Sequence, residues 1–129
     1  MILLDTHALL WMVSDPAKLS GKATNAIRTA SSGDGLAVSA ITLWELAWLA
    51  TNRRVTITGT VSAFVQKATL RTSIRPITVE IATLATQFPD SYPRDPCDRL
   101  IGATALSEGM ALVTKDRELR NCKQLRTIW

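Results

Sequence analysis

A chain of 129 residues is long enough for one compact domain, burying about two-thirds of the surface its unfolded form would expose, and too short to give two domains separate cores. Hydrophobic residues at 47% and charged residues at 20% exclude a disordered tail, and 15 Lys and Arg against 11 Asp and Glu leave a net charge of +4 that suits a polyanion or an acidic partner. No apolar run approaches the roughly 20 residues that cross a bilayer, no signal-peptide pattern is present, and Cys97 and Cys122 lack metal or redox spacing, so the expectation is no membrane contact and a reducing cytoplasm.

Met1 to Asp5 reads as a short strand buried on both faces and ending in a carboxylate. Thr6 to Val13 forms one or two helical turns, broken by Asp15-Pro16. Ser20 then caps a helix to about Ala30 in which Leu19, Ala23 and Ile27 share a face. After the loop Ser31 to Gly35, Leu36 to Val38 predicts a second strand, and Ser39 caps a helix to about Asn52 with apolar positions at Ile41, Trp44 and Trp48. Thr51 to Thr58 is an irregular link, Thr60 caps a helix over Val61 to Leu70, and a third strand is expected over Ile74 to Ile77. Thr78 caps a helix carrying Ile81, Leu84 and Ala85, which Phe88-Pro89-Asp90 terminates. Asp95 as cap, Pro96 at the first helical position and Gly109 at the far end delimit a further helix to Glu108. Met110 to Thr114 is a strand with Lys115-Asp116 at its exit, and Leu125 to Trp129 supplies a last edge strand.

Strands alternating with helices imply an α/β fold, a three-layer α/β/α sandwich with a mainly parallel central sheet, in one domain over residues 1–129. Ligands of such folds collect beyond the carboxyl ends of the strands. Asp5 and Asp116 sit at two strand exits, and Glu45 and Asp98 in the opening turns of two helices, so all four acids can face one edge. Each has a plainer reading: Asp5 as a cap, Glu45 as a surface charge or partner of Thr42, Asp98 as a favourable charge at a helix amino terminus, Asp116 as a turn residue. Coincidence of four such explanations on one edge is less economical than a shared role.

Clustered carboxylates need compensation, since two unit charges about 4 Å apart repel by about 4 kcal/mol at an effective dielectric of about 20. Hard oxygen ligands favour Mg²⁺, with Mn²⁺ substituting, and such an ion can activate a water for phosphodiester hydrolysis. His7 is the sole histidine, which excludes a histidine-rich zinc site, and no phosphate-binding glycine loop is present. Thr6, Ser39 and Thr114 can support the acids through their hydroxyls, with capping the alternative for Ser39. Arg94, Arg99, Lys115 and Arg117 are candidate RNA contacts; Arg99 could equally pair with Asp95, and Lys115 and Arg117 could serve solubility. Three of the four tryptophans fall at amphipathic-helix positions suited to a core or an interface, with base stacking a lesser option for Trp11.

Leu3-Leu4-Asp5-Thr6-His7-Ala8-Leu9-Leu10-Trp11, Val38-Ser39-Ala40-Ile41-Thr42-Leu43-Trp44-Glu45, Arg94-Asp95-Pro96-Cys97-Asp98-Arg99-Leu100-Ile101, Leu112-Val113-Thr114-Lys115-Asp116 and the Ile128-Trp129 ending occur in that order. In these segments the chain resembles the PIN-domain superfamily, and within it the VapC-type toxins of toxin–antitoxin pairs. The resemblance implies a metal-dependent endoribonuclease whose acids fall on Asp5, Glu45, Asp98 and Asp116, with Thr114 in support. It also implies homodimers, silencing by a small antitoxin, and larger complexes that touch operator DNA only through the antitoxin. Tyr92 stands where a histidine is common, Cys97 where phenylalanine is usual, and the segment after Glu45 lacks a frequent glycine turn. Two other readings of the acids stay open: a protein-binding pocket without catalytic activity, and a flap-type DNA nuclease.

Overall fold

The computed structural model describes residues 1–129. Five parallel strands form one sheet in the order β3-β2-β1-β4-β5, with β1 at Ile2–Leu4, β2 at Leu36–Ser39, β3 at Thr72–Arg75, β4 at Leu112–Val113 and β5 at Thr127–Ile128. Helices α1 (Thr6–Ser14), α2 (Gly21–Ser31), α3 (Ala40–Thr51) and α4 (Val61–Thr69) precede β3, whereas α5 (Val79–Ala85), α6 (Pro96–Glu108) and α7 (Arg117–Arg120) follow it. Strand pleating sends alternate residues to opposite faces. Leu3, Ala37 and Leu112 accordingly pack with Ile81, Ile101 and Leu119 of α5, α6 and α7, while Leu4, Val38 and Val113 pack with Leu9, Ile27, Leu46 and Ala68 of α1 to α4. A sheet with a separate core on each face is the α/β/α sandwich, and it explains why the inner strands read as unbroken apolar runs.

Caps set the helix starts where side-chain chemistry demands them. Ser20, Thr60 and Thr78 each accept the amide of the third residue on, and Gly109 closes α6 in the left-handed region at φ 65°. Four local expectations change. The third strand lies over Thr72–Arg75 rather than Ile74 to Ile77, because Pro76 has no amide to donate to a ladder. The fourth narrows from Met110–Thr114 to Leu112–Val113. The buried residues of α3 are Thr42, Leu46 and Ala50, leaving Trp44 57% and Trp48 42% exposed, since a helix apolar nearly all round offers no periodicity that selects a face. Finally, α7 forms after Asp116, a four-residue helix too short to leave a periodic signal.

Candidate active site

Parallel pairing brings the exits of β1, β2 and β4 side by side. Leu4 lies opposite Val38 in β2 and Val113 in β4, so Asp5 leaves the sheet beside Thr114, its amide donating to the Val113 carbonyl at 3.1 Å. Asp5 also caps α1, accepting the Ala8 amide at 2.7 Å, which orients the carboxyl from a residue only 9% exposed. Asp116 caps α7 through the amides of Glu118 and Leu119 at 2.8 and 3.4 Å.

Glu45 arrives from the second turn of α3. The Thr6 hydroxyl donates to its Oε1 at 2.6 Å and lies 3.1 Å from the Thr42 hydroxyl, so Thr6, rather than Thr42, is the partner of this carboxylate. The amino terminus of α6 contributes Asp95, which accepts the Cys97 amide at 2.8 Å, and Asp98 one turn on. The Tyr92 hydroxyl donates to the Asp98 carbonyl at 2.7 Å, and its ring stacks on Phe88 at 4.0 Å, tying the start of α6 to the segment after α5.

These elements enclose a cavity of about 370 Å³ lined by Asp5, Thr6, His7, Trp11, Glu45, Asp95, Asp98, Ile101, Lys115 and Asp116. All four acids singled out in the sequence are on its wall. Asp95 is a fifth, read in the sequence as a cap and a possible partner of Arg99 although its i,i+3 spacing from Asp98 places both on one helix face. Thr6 is also on the wall. Thr114 is fully buried behind it, accepting the Asp116 amide at 3.1 Å and favouring the ionised form of Asp5. Ser39 lies off the wall, buried, and caps α3 by accepting the Ile41 amide at 3.3 Å. Lys115 is the one basic candidate lining the cavity; Arg94, Arg99 and Arg117 do not. Arg99 does not pair with Asp95 but donates to the Ala85 carbonyl at 3.2 Å and packs over the Tyr92 ring.

The acids pay for their proximity in proton affinity. Burial pushes the Asp98 carboxyl up to about 7, aided by the nearby charges of Asp95, Asp116, Glu45 and Asp5. Burial likewise raises Glu45 against the opposing Thr6 hydrogen bond, and raises Asp5 against those of Thr114 and Ala8. A cation would relieve this repulsion, and the donors are hard oxygens. No three acidic, histidine or cysteine side chains converge as a ready-made cage. The side chains on the wall therefore do not form an all-protein site, and what they offer a divalent ion is one or two hard oxygen ligands, the number such an ion uses when it keeps several waters and takes further oxygens from a substrate phosphate. The Cys97 thiol is pushed up to about 12, chiefly by burial and then by the neighbouring acids, so it stays protonated and offers no thiolate ligand.

The PIN domain family matches residues 2–125. Ribonuclease VapC22 of Mycobacterium tuberculosis is 42% identical over 130 residues, spanning 99% of this chain and 98% of its own. Among solved structures, VapBC2 from Rickettsia felis bound to a promoter DNA fragment superposes with a TM-score of 0.75 at 16% identity, covering 98% of this chain and 97% of the other. A toxin–antitoxin complex from Klebsiella pneumoniae gives 0.69 at 20% identity over 97% and 95%. The structural likenesses carry the sandwich, and the sequence match carries the kinship: the chain belongs to the PIN-domain family, among its VapC-type members.

Proposed function

We propose that this chain, folded as one domain over residues 1–129, is a divalent-metal-dependent endoribonuclease and the toxin of a toxin–antitoxin pair, cutting RNA where it is unpaired and accessible. The observation that carries the reading is the convergence of Asp5, Glu45, Asp98 and Asp116 on one cavity, with burial and mutual repulsion raising the proton affinity of three of them. The 42%-identical relative bears the name of a ribonuclease, which supports RNA as substrate.

Asp5, Glu45, Asp98 and Asp116 are the residues that would hold Mg²⁺ or Mn²⁺. When bound, such an ion lowers the pKa of a water and neutralises charge growing on the phosphoryl oxygens. Thr6 holds Glu45 in place through its hydroxyl, and Thr114 and the Ala8 amide steady Asp5. Asp98, whose carboxyl burial and the neighbouring acids push up to about 7, would give up its proton on holding a cation. The test places one RNA loop sequence in hairpin and fully paired contexts and compares wild type with Asp5→Asn. Wild type should cut the hairpin loop in Mg²⁺ and stop in excess chelator, while folded D5N, nearly equal in volume, should not cut. Equal rates for the two proteins, or faster cutting of the paired form, would reject the reading.

Partner binding forms the second half of the proposal. A more apolar cavity of about 740 Å³, lined in part by Ile41, Trp44, Trp48 and Leu49, shares His7, Glu45 and Asp95 with the acidic one. An antitoxin helix laid on the tryptophans could therefore send a basic side chain among the acids. Exposed Leu70, Ile74, Ile77 and Val79 beside the free edge of β3 are consistent with a homodimer, and contact with operator DNA would come through the antitoxin. No helix is long and apolar enough to cross a membrane; the two cysteines are free, and a reducing cytoplasm is the proposed setting.

A further inference from the structure

We infer that Lys115, held against the Trp11 ring at the mouth of the acidic cavity, grips an RNA phosphate next to the scissile one, with Trp11 and Trp129 as the residues that position it. The inference rests on the ribonuclease reading above. Five carboxylates line the cavity and Lys115 is the only lysine or arginine among them, so a polyanion entering without a counter-charge on the protein would meet repulsion from every acidic side. Yet Lys115 neutralises none of those acids. The ion pairs of the molecule are the amino terminus with Asp34, Lys18 with Asp15, and Arg75 with Glu108, all elsewhere. Its ammonium stands instead 5.7 Å from the centroid of the Trp11 ring.

An aromatic face attracts a cation without cancelling its charge or occupying its N–H donors. The contact with Trp11 thus leaves the three N–H donors of Lys115 for an anion while favouring one direction for its four-carbon side chain. The platform is itself braced. Trp11 packs on Trp129 with ring centroids 5.7 Å apart and on His7 at 5.8 Å. Trp129 follows β5, whose partner β4 leads directly into Lys115. The first helix, the exit of an inner strand and the last residue of the chain therefore meet at one point on the rim, where the lysine reaches a phosphate and carries no base preference of its own.

The test measures binding of a fluorescein-labelled single-stranded oligoribonucleotide by anisotropy in Ca²⁺ from about 50 to 200 mM salt, beside cleavage kinetics in Mg²⁺. Lys115→Gln, at an exposed position, should weaken binding about 3- to 10-fold and flatten the log K against log salt line by about 0.7, the increment for one phosphate on a single strand. KM should rise with kcat nearly unchanged, and Lys115→Arg should restore both. Trp11→Leu should weaken binding in the wild-type background and add little in the Lys115→Gln background, because it acts through the lysine; Trp11→Phe, which keeps a ring, should fall between. Lys115→Gln with the wild-type slope and affinity would overturn the inference. So would losses from Trp11→Leu that add fully to those of Lys115→Gln, which would make Trp11 a base-stacking surface. Wild type that binds RNA but does not cut it refutes the ribonuclease reading alone and leaves the lysine measurement intact. Wild type that binds no RNA overturns both.

Discussion

Asp98 illustrates how a single side chain reports the chemistry of the whole cavity. Its carboxyl is ordinarily near 3.8 and here stands at about 7, first because it is buried and then because four other acids face it. Between those two values the folded protein holds a proton that the unfolded chain has released. The stability this group contributes is therefore fully present below the lower value and is lost as pH rises through the upper one. Asp5 and Glu45, also raised, act in the same direction. Metal-free protein should accordingly unfold at lower denaturant as pH rises across that window, Asp98→Asn should flatten the trend, and added Mg²⁺ should reverse it while releasing a proton, measurable by calorimetry in buffers of different ionisation enthalpy. A flat profile in the metal-free wild type would contradict this account. The four acids were legible in the sequence because strand exits and helix starts of a parallel sheet share an edge. Asp95 was not, because its capping role was a sufficient local explanation, and the Thr6 bond to Glu45 spans 39 positions, beyond any pattern in the chain.

Helix α6 carries Asp98 and is capped by Asp95, and its placement depends on a close approach. A Cβ on Gly102 would collide with the Tyr92 hydroxyl and ring and press on Phe88, so the absence of a side chain there lets α6 sit against the stacked pair that follows α5. The same Tyr92 hydroxyl holds the Asp98 carbonyl. Gly102→Ala should cost about 1–3 kcal/mol through overpacking, despite the better helix propensity of alanine, and, under the proposed ribonuclease function, should weaken cleavage assayed in Mg²⁺ by shifting Asp98. In the double variant with Tyr92→Phe, which removes the nearest clashing atom, the losses should be less than additive. Urea unfolding midpoints test both, and a Gly102→Ala protein as stable as wild type would show that the helix can move at no cost. The element boundaries of α6 were readable from Asp95, Pro96 and Gly109, each with a local conformational reason. The close approach was not readable, since nothing in the sequence pairs Gly102 with Tyr92. The buried face of α3 was hidden for the opposite reason: with apolar residues on nearly every side, only contact with its tertiary neighbours α1, α4, α6 and β2 chooses Thr42, Leu46 and Ala50 for the interior.

At the scale of the whole molecule, a chain of net charge +4 presents an acidic cavity beside an apolar one, and the two share part of a wall. Trp44 and Trp48 lie with ring centroids 6.4 Å apart and much of their surface in solvent, an arrangement the sheet does not require, because the cores on its two faces close without them. Tryptophans exposed together supply large apolar area with few rotatable bonds, which is why such residues anchor interfaces. An antitoxin helix seated there would cover the aromatic surface and bring positive charge to carboxylates that otherwise repel one another, so inhibition and docking would share one contact. If an antitoxin docks there, replacing Trp44 and Trp48 together by Ser should lower its capture on co-expression by at least about tenfold, the loss expected from removing interface anchors. Neither ring is part of the acidic wall, and both are exposed, so the double variant should remain folded and retain RNA cleavage in the absence of that partner. Undiminished capture, followed by light scattering and co-purification, would move the docking surface away from α3 and point to the apolar margin of β3 instead.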